Sequence, residues 1–221
     1  MNFKRIIAIA AAAAMLALSA ACSDSASSSN TPSADSKADT TSPTGYYSDD
    51  IKAAVEGPQL MFSNVEAAAG ETAEVSLYVS GAANKWTMCG LHITYGDELM
   101  PVMSDAEQNF VEYDLGDASK RSSGSVCMLW KNQVAKELTD NHLGSLFFTE
   151  IFDGDKGGDG EIVKFYFKVP EKAKKGTVYP IGIYYMPPTE EREDMFIGTD
   201  GDKSREKYAF ANWTGGSVTV K

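Results

Sequence analysis

Strand signals dominate the order of apolar and polar positions. Residues 72–79, TAEVSLYV, alternate strictly, which puts Ala73, Val75, Leu77 and Val79 on one face of a half-buried strand. In residues 86–95, WTMCGLHITY, the side chains of Cys89, Leu91, Ile93 and Tyr95 share one face, and Met88, Gly90, His92 and Thr94 share the other. Further runs follow at LMPVM (99–103), FVEYDL (110–115), SVCMLW (125–130), EIVKFYFKV (161–169), VYPIGIYY (178–185), a weaker YAFANW (208–213) and SVTV (217–220). Turn-forming clusters such as SGAAN, YGDE, KKGT and TGG punctuate them. Only NQVAKELTDN (132–141) and SDAEQN (104–109) carry helical character, and both are short. The pattern predicts an all-β chain, an antiparallel β-sandwich with one or two short helical insertions.

The N-terminus changes the picture of where this domain sits. Lys4 and Arg5 precede an apolar stretch, IIAIAAAAAMLAL (6–18), too short to span a bilayer comfortably, and small residues follow. The sequence Leu18-Ser19-Ala20-Ala21-Cys22 resembles a bacterial lipobox, in which the cysteine is acylated and the leader is cut just before it. A plain secretory signal cut near Ala21 is the other reading, but it gives Cys22 no use. Residues 1–21 are therefore expected to be a lipoprotein signal peptide, with Cys22 the lipidation site. Residues 22–45 contain no large apolar side chain and cannot offset the entropy of ordering, so they are expected to form a disordered, lipid-anchored linker. Such a tether holds its ends about 25–30 Å apart. Residues 46–221 are expected to form one domain on the extracellular face of the cell membrane.

Charge and cysteines narrow the partners. The formal net charge is −11, and removing Lys4 and Arg5 with the leader takes it to about −13, which argues against nucleic acid. Of three cysteines, Cys22 belongs to the leader boundary. Strand alternation turns Cys89 inward and Cys127 outward, so two free thiols are expected rather than a disulfide.

Candidate chemistry is sparse. The tetrapeptide DGDK occurs at 153–156 and again at 200–203. A calcium loop of the EF-hand kind needs oxygen ligands at positions 1, 3, 5 and 12 with glycine at 6. Counting from Asp153, Gly157 and Lys164 occupy positions 5 and 12; counting from Asp200, Arg205 and Ala211 occupy 6 and 12. Both copies fit turns instead, and no resident cofactor or metal is expected. His142 has no evident partner, and His92 has neither a nucleophile signature nor a converging ligand set. The acidic run TEERED (189–194) reads as a solvated turn rather than as the opposed carboxylates of a glycosidase. No catalytic residues are assigned, and the chain is expected not to be an enzyme.

Three stretches in order resemble a cohesin module, the receptor domain of cellulosome scaffolding proteins. They are GETAEVSLYVSG (70–81), CGLHITYGDELMPVM (89–103) and GGDGEIVKFYFKVPEKAKKGTVYPI (157–181), followed by a closing GGSVTV (215–220). A single module on a short lipoprotein tether is closest to the stand-alone cohesins of ruminococcal systems. The resemblance implies a jelly roll of about nine strands, whose flat face, made by the third, fifth, sixth and eighth strands, receives a dockerin. It also implies that calcium belongs to the dockerin rather than to this chain. With the alternation, it places Met88, Gly90, His92, Val111, Tyr113, Leu129 and Lys131 on the partner-binding face. Leu129→Asp is then expected to abolish association while leaving the fold intact. The partners implied are dockerin-bearing secreted proteins, bound by a monomer that meets the membrane only through its anchor. Trp86, Trp130 and Trp213 support one rival, a carbohydrate-binding sandwich that stacks sugars on exposed rings. In that comparison Trp130 belongs with Val126 and Met128 in the core.

Overall fold

The computed structural model describes residues 58–130, 136–184, 194–199, 209 and 213–221. In chain order the strands are β1 (Gln59–Phe62), β2 (Asn64–Ala67), β3 (Thr72–Ser80), β4 (Trp86–Gly96), β5 (Met100–Pro101), β6 (Met103–Asp105), β7 (Phe110–Val111) and β8 (Tyr113–Leu115). They continue as β9 (Gly124–Leu129), β10 (Leu143–Ile151), β11 (Gly160–Lys168), β12 (Val178–Ile183), β13 (Met195–Gly198), β14 (Trp213–Thr214) and β15 (Gly216–Val220). One sheet runs β14-β1-β3-β11-β5 with β8 also on β11, and the other runs β2-β15-β12-β4-β10-β9-β7-β6 with β13 also on β4. The expected all-β jelly-roll sandwich is what forms.

Several predicted runs turn out to serve both sheets. The chain changes sheet at Ser63, Val102, Glu112 and Gly215, so β1 and β2, β5 and β6, β7 and β8, and β14 and β15 are halves of continuous stretches. The run 110–115 is one of these. Val111 pairs with Met103 in one sheet, while Tyr113 pairs with Phe165 in the other, and the exposed Glu112 stands at the crossing. The ladders are antiparallel except where the first two strands meet the last two, β1 on β14 and β2 on β15, which run parallel.

The core lies between the sheets and follows the alternation. Ala73, Val75, Leu77 and Val79 of β3 are buried, as are Cys89, Leu91 and Ile93 of β4. Phe165 and Phe167 of β11, beside β3 in the same sheet, face the second sheet across the sandwich, with Phe148 edge-on to Phe165 at 5.9 Å and Tyr95 tilted on Phe167 at 5.2 Å. Burying side chains of this size contributes about 1.5–3 kcal/mol each.

The structure departs from the sequence reading in its local elements. Residues 104–109 do not form a helix: they finish β6 and turn into β7. Asp105 Oδ1 accepts the amides of Glu107 and Gln108, and Asn109 takes a φ of 61°. Lys136–Asp140 is helical within the predicted 132–141, whose first residues lie outside those described. Strand β10 was not among the predicted runs, although it pairs with β4 from Leu143↔Gly96 to Ile151↔Met88. Leu146, Phe147 and Phe148 are consecutive apolar residues, so β10 shows no alternation.

Candidate protein-interaction face

Four strands, β12, β4, β10 and β9, lie side by side and build the central surface of the second sheet. Directly paired residues of an antiparallel ladder point to the same side. The row Leu91–Phe148–Cys127 is buried and points into the core, so the adjacent row, His92–Phe147–Met128–Phe110, points away from it. Behind it come Gly90–Thr149–Val126 and the pair Met88–Ile151. Trp130 follows β9, and its amide donates to Ser145 O at 3.0 Å. Phe110, Val126, Met128, Trp130 and Phe147 are half-buried and Ile151 is 43% exposed, so this outer surface is apolar over three adjacent strands.

The second flank of β4 is shared by two strands. β12 pairs along Ile93–Tyr95 and β13 along Trp86–Gly90, both antiparallel. The line breaks opposite His92, where Tyr184 and Asp194 flank residues 185–193, which lie outside those described. The Tyr184 amide donates to His92 O at 2.9 Å. From the other end, Asp194 Oδ1 lies 2.6 Å from His92 Nδ1 and accepts the His92 amide at 3.2 Å. Because that oxygen is an acceptor, Nδ1 carries a proton, and in the neutral ring Nε2 is then an acceptor. Asp194 is fully buried and His92 only 3% exposed; the imidazole packs edge-on against Trp130 and tilted against Phe147, each at 4.9 Å. Among the described residues, nothing hydrogen-bonds to His92 Nε2.

The structure brings Met88, Gly90 and His92 together on this outer side. Gly90 and His92 are covered rather than open, so neither stands exposed on the outer side. Val111 does not belong to the surface: it is 1% exposed in the core. Tyr113 sits on the other sheet and packs against the core, with its hydroxyl 2.8 Å from Ser125 Oγ. Leu129 pairs with Leu146, also on the core side. Cys127 turns inward, not outward, and Trp130 outward, not inward. The register of β9 is therefore one residue from that expected, and a one-residue slip exchanges the faces. Met128 and Trp130 were missed as surface residues for the same reason, and Phe147 because β10 carries no alternation to mark it as a strand. Lys131 and Cys22 lie outside the described residues. Both Cys89 and Cys127 are buried and free, and burial pushes their thiols up.

The motifs singled out earlier have structural partners. In the first DGDK loop, Asp155 meets Arg121 at 2.8 Å, and nearby Asp159 accepts the amides of Gly81 and Ala82. Gly157 lies against Trp86, whose Nε1 donates to Gly158 O at 3.0 Å. The second DGDK lies outside the described residues. Asp194, the last residue of TEERED, is buried against His92 and is not part of a solvated turn. His142 is exposed and has a partner after all, Asp97, at 3.5 Å. Trp86 is buried between Phe152 and Phe196, and Trp213 is half-buried, its ring against Gly182.

On the core side of β10, Glu150 is 1% exposed. Its Oε1 accepts from Ser119 Oγ at 2.8 Å and from Cys89 Sγ at 3.6 Å. Burial raises its carboxyl to about 7, against these hydrogen bonds.

No family model matches the chain, and no curated protein matches it in sequence. Solved structures do match. A type III cohesin module from the cell-surface anchoring scaffoldin ScaE of Ruminococcus flavefaciens superimposes with a TM-score of 0.61 at 20% identity, covering 78% of this chain and 92% of that one. A type II cohesin from the cellulosome of Acetivibrio cellulolyticus gives 0.52 at 15% identity, covering 73% and 95%. The third ScaC cohesin of the same organism, solved with the ScaB dockerin, gives 0.50 at 13% identity, covering 74% and 98%. The fold expected from the sequence resemblance is the fold observed.

Proposed function

We propose that this chain, which has the fold of a cohesin module, is a non-enzymatic receptor that binds a dockerin through the outer face of β12, β4, β10 and β9. The observation that carries the reading is the apolar character of that face. Met128, Phe147, Trp130, Val126 and Ile151 form a contiguous surface in which, among the described residues, no side chain is charged and solvent-exposed. Contiguous apolar surface of this kind marks a protein contact, where a partner excludes water from the centre and polar groups at the rim set orientation. The likeness in fold to a cohesin solved with its dockerin supports the partner class.

The same reading places the chain on the cell surface as a monomer, held by acylated Cys22 and the polar linker. Its cargo would be secreted, dockerin-bearing proteins that act on polysaccharides, and any calcium in the complex would sit on the dockerin.

The test is a capture experiment with the chain lacking residues 1–21 and carrying Cys22→Ser, against proteins secreted by the same organism. Dockerin-bearing proteins are expected to bind in calcium and to be lost in EDTA, while EDTA leaves the thermal midpoint of the free chain unchanged. Retention on cellulose or starch with no protein captured would replace this reading with the carbohydrate-binding one.

A further inference from the structure

We infer that His92 is a specificity-determining residue of this face: its Nε2 lone pair takes a hydrogen-bond donor, a hydroxyl or an amide N–H, from the docked dockerin. The inference rests on the dockerin-binding reading and adds what that partner must present. Three observations carry it. His92 stands in the central row of the outer surface, flanked by Phe147 and Met128 on one side and by the break between β12 and β13 on the other. Asp194, fully buried, holds Nδ1 at 2.6 Å and thereby fixes the tautomer that leaves Nε2 as an acceptor. Nε2 itself is buried and has no hydrogen-bond partner among the described residues.

The neighbouring hydroxyl of Thr149 is spent on Cys89 O at 2.9 Å, so it does not satisfy the imidazole. Against the ring lie the half-buried side chains of Trp130 and Phe147. The docked partner would reach Nε2 by displacing one of them, a side-chain movement of the kind common when interfaces form. A partner with Ser, Thr, Asn or Lys at this point completes the hydrogen bond. A partner with Leu or Ala seals an unmet acceptor into the interface, which discriminates against it.

The experiment is titration calorimetry of recombinant dockerin modules, taken from enzymes secreted by the source organism, against wild type, His92→Asn and Met128→Asp. Asparagine keeps an N–H for Asp194 and deletes Nε2. Binding is expected to weaken about tenfold in His92→Asn and to vanish in Met128→Asp. In the wild-type protein, the nitrogen resonance of His92 Nε2 is expected to move upfield on complex formation, a signature of accepting a hydrogen bond. That readout decides the matter if His92→Asn does not fold. If Nε2 does not move and His92→Asn binds like wild type while Met128→Asp does not bind, the His92 inference fails and the face stands. If no dockerin binds wild type, or Met128→Asp binds as tightly as wild type, the receptor reading fails and this inference with it.

Discussion

Glu150 shows what one residue can do to the pH response of the whole domain. Its carboxyl titrates at about 7 in the folded chain, against 4.5 as its ordinary value. Below pH 4.5 both folded and unfolded states hold the proton and the residue is neutral with respect to folding. As pH rises to 7 the unfolded state loses its proton first, so stability falls, and the loss levels off above 7. Glu150→Gln keeps an acceptor for Ser119 and removes the charge. It is expected to flatten this fall and to stabilise the domain by about 2–3 kcal/mol at pH 8 with little effect at pH 4, as read by urea denaturation at both values. Gly157 carries a different constraint. A Cβ there would lie 2.0 Å from Trp86 Cε2, and Trp86 is fully buried and cannot retreat. Gly157→Ala is expected to cost about 2 kcal/mol, seen as a lowered thermal midpoint, because that loop is shaped to cover the indole. The acidic DGDK spacing is visible in the sequence; the contact that fills the loop is not.

At the scale of elements, β9 decides which residues a partner meets. Val126, Cys127, Met128, Leu129 and Trp130 are all apolar, and no period of two distinguishes inside from outside. Pairing with β10 resolves it: Cys127 opposite Phe148 and Leu129 opposite Leu146 point inward, and Met128 opposite Phe147 points outward. Two adjacent substitutions should therefore behave oppositely. Met128→Asp is expected to leave the fold intact and to abolish partner binding. Leu129→Asp is expected to destabilise the domain by about 3 kcal/mol or more, since it turns a carboxylate toward the core. Circular dichroism melts together with a binding titration separate the two. If both variants fold and only Leu129→Asp loses binding, the register described above is wrong. The break between β12 and β13 belongs to the same scale: it lets Asp194 reach His92, far along the chain, and it sets the polarity at the middle of an otherwise apolar face.

For the whole molecule, the two sheets differ in character. The apolar outer surface lies on one sheet, while the opposite sheet carries polar pairs such as Glu74 with Lys164 at 3.1 Å. The N-terminal leader and linker supply the anchor in the proposed reading. Cys22→Ser is expected to move the protein from the membrane fraction to the culture medium without changing the affinity of the domain for its partner, as read by fractionation and titration. Protein that stays with the membrane after that substitution would show that Cys22 is not the anchor.

The sequence alone determined the class of fold and most of its core. Strict alternation in 72–79 reports a strand with one dry face, and turn residues mark where such strands end, because both are local consequences of backbone geometry. The ordered stretches around 70–103 and 157–181 carried the family likeness for the same reason. Only the tertiary structure decided the face. β9 and β10 carry apolar residues on both sides, so hydrophobicity is continuous, and the side that meets solvent depends on which strand pairs with which. Val111 and Tyr113 went to different places because the chain changes sheet between them, a crossing that local pattern does not encode. The burial of His92 depends on Asp194 returning to it from 102 residues away, and no local pattern in the chain marks that pairing.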